Sequence, residues 1–152
     1  MLQTTVLHAC FAWQRSVERI FRRIQLHEAV PPSLEDVQRQ LQKQLHNLQQ
    51  LAVREIGRSA RITVESLIHL NTRQRDTTKH LLTANCQAVT DFEWQTLLRY
   101  DWEPDGNVLT VKQWLTTIPY GYDYVGASSP IVFAPQTEKA RLGFTQLLKQ
   151  FM

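Results

Sequence analysis

The sequence predicts a mainly α fold, of the α+β class, in which an antiparallel helical bundle precedes a short β-hairpin and a final helix. Two observations lead to this prediction. Apolar residues recur at steps of three and four through the first 84 residues, which is the period of an amphipathic helix. After Asn85 the pattern changes, and an Asp105-Gly106 turn separates two short runs, the second of which alternates with a period of two.

The first helix is predicted over residues 3–28. Pro31 and Pro32 end it, because proline lacks an amide donor and disfavours helix in the residue before it. Its apolar stripe comprises Val6, Cys10, Trp13, Val17, Ile20, Phe21 and Ile24.

The second helix is predicted to begin after Ser33, a good N-cap, with Glu35 and Asp36 placed favourably in the first turn. Gly57 is where we expect a kink or the end of this helix. Coiled-coil pairing is the alternative, although only about three heptads hold and few charge pairs flank them. The apolar stripe comprises Leu34, Val37, Leu41, Leu45, Leu48, Leu51 and Ala52.

A third helical segment is predicted to extend to about residue 84. Its expected apolar positions are Ile62, Leu67, Ile68, Leu70, Leu81 and Leu82.

A short helix over residues 91–98 is predicted next, with Asp91 as its N-cap. Phe92 and Trp94 are expected to be large anchors that pack beneath neighbouring elements. Two antiparallel strands should follow at 97–102 and 108–116.

Tyr120, Tyr122 and Tyr124 would share one face if their segment were extended. Stacking on bases would need an accompanying basic groove, so we expect these rings to pack at a domain seam instead. The net charge is only +3, and basic residues interleave with acidic ones, as in 15–23, which indicates solvated helix faces. We therefore predict no nucleic-acid partner. The apolar runs are too short to span a membrane and no secretory signal is present, so we predict no membrane partner.

No catalytic residue and no metal ligand is assigned. Cys10 and Cys86 are predicted to be reduced thiols, buried or half-buried, and the five histidines lack a metal-binding spacing. The phosphate-binding pattern G-x-x-x-x-G-K-[ST] does not occur in the sequence. This chain alone should therefore not hydrolyse ATP.

Four motifs stand in the order in which they occur in dynein heavy chains: D-F-E-W (91–94), L-R-Y-D-W (98–102), Y-G-Y-D-Y-V-G (120–126) and A-P-Q-T-E-K (134–139). The chain resembles that family over nearly its whole length. Its 60–82 stretch is similar to a linker helix of the family, with Arg75 and Asp76 on the Arg-Asp pair, Asn71 in place of an Asp and Arg73 in place of a His. The first helix fits more loosely, at Gln3, Trp13, Val17 and Glu18.

The resemblance implies the region where the linker of the motor joins its first AAA+ module. It divides the chain into a linker helical bundle (1–90), a linker-to-AAA+ seam with the β-hairpin (91–126) and a truncated start of the AAA+ module (127–152). Met1 aligns inside a linker helix and the sequence stops in the first AAA+ helix. We therefore expect a fragment, a truncated gene model or a short isoform.

The resemblance further implies that Ile131, Val132, Pro135 and Thr137 lie nearest the adenine of the main ATP site. Ala134 and Gln136 depart from the family pattern, so only backbone contacts are expected to persist there. An equal alternative is that the loop over 131–140 serves only as a connector. ATP with magnesium is expected in the intact parent, and no cofactor is expected to bind tightly to this chain alone.

The implied parent is an ATP-driven, minus-end-directed microtubule motor. Its partners would be the rest of the motor ring, dynein intermediate and light chains, and microtubules. Its location would be the cytoplasm and cytoskeleton, or the ciliary axoneme for the axonemal branch, which Y-G-Y-D-Y with S-S-P nearby favours. The alternative function is a non-catalytic helical interaction protein, or a truncated dynein-derived product without motor activity.

Overall fold

The computed structural model of the chain describes residues 2–27, 33–103, 106–123 and 134–151. The predicted mainly α fold with a short hairpin is confirmed. Among the described residues, no helix combines the length and apolarity needed to cross a membrane. The elements are α1 (Leu2–Gln25), α2 (Leu34–Ala52), α3 (Arg58–Thr83), α4 (Phe92–Gln95), β1 (Arg99–Glu103), β2 (Val108–Gln113), β3 (Thr116–Pro119) and α5 (Pro135–Phe151).

Local signals account for the start of α2. Ser33 Oγ accepts from the Asp36 amide at 3.4 Å, and the Asp36 carboxylate accepts from the Ser33 amide at 3.0 Å. This reciprocal capping box confirms Ser33 as the N-cap. α1 ends at Gln25, before the predicted residue 28, because His27 adopts a left-handed φ of 54°. The two prolines lie outside the described residues.

Gly57 neither kinks nor ends α2. The helix already stops at Ala52, and Gly57 is the residue that precedes α3. The Arg61 guanidinium closes this connection by donating to the carbonyl oxygens of Ala52 at 3.1 Å and Arg54 at 3.4 Å. These bonds satisfy carbonyls that the end of α2 leaves without helical donors.

The hydrophobic core lies between α1, α2, the end of α3, and α4. Phe92 was expected to pack beneath its neighbours, and that expectation is wrong: its side chain is 58% exposed, whereas Trp94 is 0% exposed. The reason is geometric. Successive helical side chains differ by about 100°, so residues two apart point in nearly opposite directions. The core comprises Val17, Ile20, Phe21, Leu34, Val37, Leu41, Leu81, Cys86 and Trp94.

The fully buried positions of α3 are largely polar, which the predicted apolar stripe did not anticipate. They are Asn71, Gln74, Thr78 and Leu81. Of the predicted stripe, Leu81 is buried and Leu82 packs against the core, whereas Ile62 is 38% exposed. Each buried polar side chain donates to a backbone carbonyl, and Gln74 reaches across to Ala9 in α1 at 3.3 Å. Such bonds make burial of polar groups tolerable, so α3 can face α1 through polar contacts.

The sheet is antiparallel, with the order β1-β2-β3 and Tyr100 opposite Val111, which is opposite Ile118. The prediction of a strand over 108–116 is wrong at its end. The observed strand β2 ends at Gln113, and the third strand, β3, was not predicted. The chain reverses at Trp114, a residue with φ of 50°. Contacts with α4 hold it there: the Trp114 amide donates to the Gln95 carbonyl at 2.7 Å, and its indole meets the Phe92 ring edge-on at 5.6 Å.

Candidate functional site

A single buried glutamine joins three parts of the molecule. Gln113, the last residue of β2, is 2% exposed. Its Nε2 donates to the Thr96 carbonyl at 2.8 Å, and its Oε1 accepts from Thr145 Oγ1 at 2.7 Å. Gln146 Nε2 donates to the Gln113 carbonyl at 3.1 Å. We call Gln113, Thr96, Thr145 and Gln146 the Gln113 hub. It ties the sheet to the end of α4 and to α5.

Sequence reasoning missed this hub, although one signal was present. Gln113 shares its strand face with Leu109 and Val111, so it is a polar residue in an apolar series. A buried amide that loses its partners costs about 1–3 kcal/mol, so a glutamine at such a position implies specific partners. Those partners come from Thr96 and α5, which are distant in sequence, so their identity could not be predicted.

The α4 side of the hub is fixed in the core by Trp94. Its ring meets Phe21 edge-on at 5.5 Å and Trp13 at 5.8 Å. The Trp13 indole in turn donates to Thr78 Oγ1 at 3.0 Å. Because Thr96 lies only two residues after Trp94, the hub is attached closely to the helical core.

The sheet has a second attachment, to α1. The Tyr100 amide donates to Gln14 Oε1 at 2.9 Å, and the Tyr100 ring lies 6.1 Å from Phe11. Near the start of α1, Gln3 Nε2 donates to the Tyr120 hydroxyl at 2.7 Å. α1 therefore bonds to β1 and to the residue that follows β3, and the rings of Tyr100 and Tyr120 lie 6.3 Å apart.

Helix α5 has an ionic contact with α3. Arg73 lies 3.9 Å from Glu138 Oε1, and Glu138 also pairs with Arg141 on its own helix. Burial, and next the charge of Arg141, lower the pKa of the Arg73 guanidinium, which nevertheless remains protonated at neutral pH. Two cations thus share one carboxylate, and α5 docks through polar groups.

A cavity of about 60 Å³ lies between α1, α3 and β1, and its lining includes Cys10, Arg73 and Tyr100. Burial raises the pKa of Cys10 to about 11 and that of Tyr100 to about 12. Both groups are therefore protonated at neutral pH, which does not favour nucleophilic chemistry. Both cysteines are free, with Cys86 buried and Cys10 half-buried, as predicted. Among the described residues, no group of three His, Cys, Asp or Glu side chains could hold a metal.

The residues predicted to lie near adenine are only partly described. Ile131 and Val132 lie outside the described residues, and Pro135 is the first residue of α5. Thr137 Oγ1 accepts from the Ala134 amide at 2.8 Å, which is a bond from the residue before α5 back to its first turn, as in half of a capping box. A role of these residues in nucleotide binding stays a prediction.

The backbone is not extended at Tyr122, so the condition for a shared tyrosine face is not met there, and packing of these rings at a domain seam stays a prediction. Tyr122 has a left-handed φ of 57°, meets Tyr120 edge-on at 5.1 Å and is 58% exposed. Tyr124 lies outside the described residues. Asp91 is the N-cap residue of α4, as predicted, although its side chain makes no capping bond. Its carboxylate accepts instead from the amides of Gln87 at 2.7 Å and Ala88 at 3.0 Å. These bonds lower the pKa of the Asp91 carboxyl.

The outer side of α5 and the turn beside the hub expose apolar surface. Phe144 is 62% exposed and Leu147 is 54% exposed on α5. Leu115, two residues after Gln113, is 66% exposed. Phe144 and Leu147 lie one helical turn apart, and exposed apolar surface of this kind marks places where another element packs.

The hub joins the sheet to the end of α4 and to α5 through hydrogen bonds. No protein-family model matches the chain. It is 34% identical over 109 residues to mouse dynein axonemal heavy chain 1, covering 72% of this chain and 2% of that protein. It is 23% identical over 140 residues to human dynein axonemal heavy chain 10, covering 92% of this chain and 3% of that protein. The dynein-1-beta heavy chain of the flagellar inner arm I1 complex of Chlamydomonas reinhardtii is 33% identical over 95 residues, which is 62% of this chain and 2% of that protein.

The chain therefore belongs to the dynein heavy chain family. It spans only 2–3% of the length of these relatives, so it corresponds to a short segment of such a heavy chain.

Proposed function

We propose that this chain is the connection between the linker and the first AAA+ module of a dynein heavy chain, and that it transmits force between them. The observation that carries the proposal is the Gln113 hub, which bonds the sheet to both the core-anchored α4 segment and α5. A lever needs a stiff attachment, and bonds made by one buried side chain to two elements resist their independent movement.

The proposed division assigns residues 1–90 to the linker bundle, 91–126 to the seam and 127–152 to the start of the AAA+ module. The hub favours this division because Thr96 and Gln113 lie in the second part and Thr145 in the third. The exposed Phe144 and Leu147 fit a helix whose outer face packs into the remainder of an AAA+ module.

In the intact parent, ATP with magnesium would bind beside the start of α5, with Ile131, Val132, Pro135 and Thr137 on the adenine side. The start of a helix offers backbone amides to such a ligand. The chain itself lacks the glycine-rich phosphate cradle. Isothermal calorimetry of this chain with ATP should therefore detect no tight binding, and micromolar affinity would contradict this expectation.

The parent that we propose is an axonemal-type microtubule motor in the ciliary cytoskeleton. The names of the relatives support this, since they are axonemal or flagellar heavy chains. Its partners would then be the rest of the motor ring, the dynein intermediate and light chains, and microtubules.

The decisive experiment changes Gln113→Leu in an intact heavy chain that carries this segment. Leucine has a similar size but cannot bond to Thr96 or Thr145, so both lose a partner. We expect slower microtubule gliding with nucleotide affinity and basal ATPase largely retained. Gln49→Leu, at an exposed position on α2, is the matched control. Normal gliding in the Gln113 variant, or loss of nucleotide affinity without a gliding defect, would overturn the proposal.

A further inference from the structure

Helix α5 lies against the rest of the chain through a face that is mostly polar. The half-buried side chains on that face are Glu138, Arg141, Leu142, Thr145, Gln146 and Leu148. No described side chain of α5 is fully buried or belongs to the hydrophobic core. Water can replace polar contacts at little cost, whereas exposing buried apolar surface is unfavourable. The attachment of α5 is therefore weaker than the attachments among the helices of the core.

One carboxylate of α5 lies between two arginines. Glu138 Oε1 is 3.9 Å from the guanidinium of Arg73 on α3, and Glu138 Oε2 pairs with Arg141 one turn further along α5. These three side chains are between 23% and 36% exposed, so solvent screens their charges less than it does at an open surface. Burial, and next the charge of Arg141, lower the pKa of Arg73, so the two guanidinium groups repel each other across this contact. The charge of Glu138 offsets that repulsion.

We propose that Glu138 is an electrostatic latch: its carboxylate holds α5 against α3, and neutralising it releases α5 while the sheet stays on the helical core. The Gln113 hub favours release on this side, because Gln113 keeps its bond to Thr96 when Thr145 departs. Arg141 Nε is also buried without a hydrogen-bond partner among the described residues, so release restores its contact with water. The latch lies within the chain and acts whatever the chain connects in its parent.

Hydrogen–deuterium exchange of the full chain measures the release. A single helix of 17 residues is marginal in water, so the amides of α5 should exchange faster once it leaves the sheet. Glu138→Gln should speed exchange in α5 by about tenfold or more, because like charges in a half-buried contact repel strongly. The amides of α1 and of the strands should keep their protection. The matched control is Glu65→Gln, which removes an exposed carboxylate from α3 and should leave α5 unchanged.

A second substitution separates the repulsion from other effects of Glu138. In the Glu138→Gln background, Arg141→Gln removes one of the two repelling cations. Exchange in α5 should then return to within about threefold of the unchanged chain, since the lost ion pairs are themselves worth little. Glu138 also lies in the first turn of α5, where a negative charge favours the helix. Lys139→Gln controls for that effect, because it removes an exposed cation from the same turn and should not rescue α5.

Salt provides an independent readout. Raising the salt concentration screens repulsion, so it should slow exchange of α5 in Glu138→Gln and not in the unchanged chain. The proposal is overturned if Glu138→Gln leaves exchange of α5 unchanged, or if all helices exchange faster to the same extent. It is also overturned if Arg141→Gln rescues α5 no better than Lys139→Gln does. Should Glu138→Gln fold poorly, adding Arg73→Gln removes the cation on α3 and must restore both folding and protection, and failure to do so refutes the latch.

Discussion

Replacing Trp94 tests the core attachment of the hub most directly. The side chain is 0% exposed and contacts Phe21 and Trp13, and truncating a buried tryptophan to alanine costs about 3–5 kcal/mol. Its indole nitrogen is buried without a hydrogen-bond partner, and such a donor costs about 1–3 kcal/mol. Because Trp94→Ala also removes that donor, the loss is reduced by about 1 kcal/mol, the lower end of that range, and we expect a net loss of about 2–4 kcal/mol. This is a large share of the stability of a small domain.

The unpartnered indole nitrogen of Trp94 also leads to a prediction for the free energy of unfolding of a phenylalanine variant. Trp94→Phe retains an aromatic ring against Phe21 and Trp13 but deletes the donor, so its free energy of unfolding should lie within about 1 kcal/mol of the parent chain. Phe92→Ala is the matched control, because that ring is 58% exposed and contacts Trp114 at its edge. It should cost about 0.5–1.5 kcal/mol, the range measured for aromatic pairs.

The assay is urea unfolding of the full chain at low concentration, followed by circular dichroism. From most to least stable, the order should be the unchanged chain together with Trp94→Phe, then Phe92→Ala, and last Trp94→Ala. Equal losses in Phe92→Ala and Trp94→Ala would refute the placement of the two rings. A loss in Trp94→Phe as large as that in Trp94→Ala would refute the argument from the unpartnered nitrogen.

Three further predictions concern the hub, the apolar face and the thiols. Gln113→Ala should speed amide exchange along α5, measured by hydrogen–deuterium exchange, because Thr145 and Thr96 lose a partner; unchanged protection of α5 would argue against the hub. The isolated chain should self-associate through its exposed apolar surface. Phe144→Ser with Leu147→Ser should then raise the monomer fraction in light scattering, and a parent chain that is already monomeric would disprove this. Burial raises the pKa of both Cys10 and Cys86 from 9.0 to about 11, so folding favours their protonated forms. The stability from these thiols is complete below pH 9 and is lost as the pH rises towards 11. Serine at both positions should flatten this part of the pH–stability curve, and an unchanged curve would contradict the assignment.

The helices and the start of α2 could be predicted because their causes are local. The Ser33 capping box needs only residues three apart, and the apolar periods of α1 and α2 arise within each helix. In the turn before β2 the left-handed residue is Asn107, with a φ of 50°, and asparagine tolerates that region better than most residue types.

The second reversal of the sheet, at Trp114, could not be predicted because its cause is not local. Trp114 has no intrinsic preference for a φ of 50°, and it is held there by Gln95 and Phe92 of α4. Likewise, Asn71, Gln74 and Thr78 lack the apolar signature of a buried face. They are buried because backbone carbonyls, including that of Ala9 in α1, accept their bonds.

Residue types at short, fixed spacings were enough to predict the helical class, the cap at Ser33, the hairpin and the family resemblance. Folding then placed Trp94 in the core, left Phe92 exposed and bonded Gln113 to Thr96 and Thr145. Each of these outcomes depends on which partner group lies nearby after folding, and residues distant in sequence supply that group.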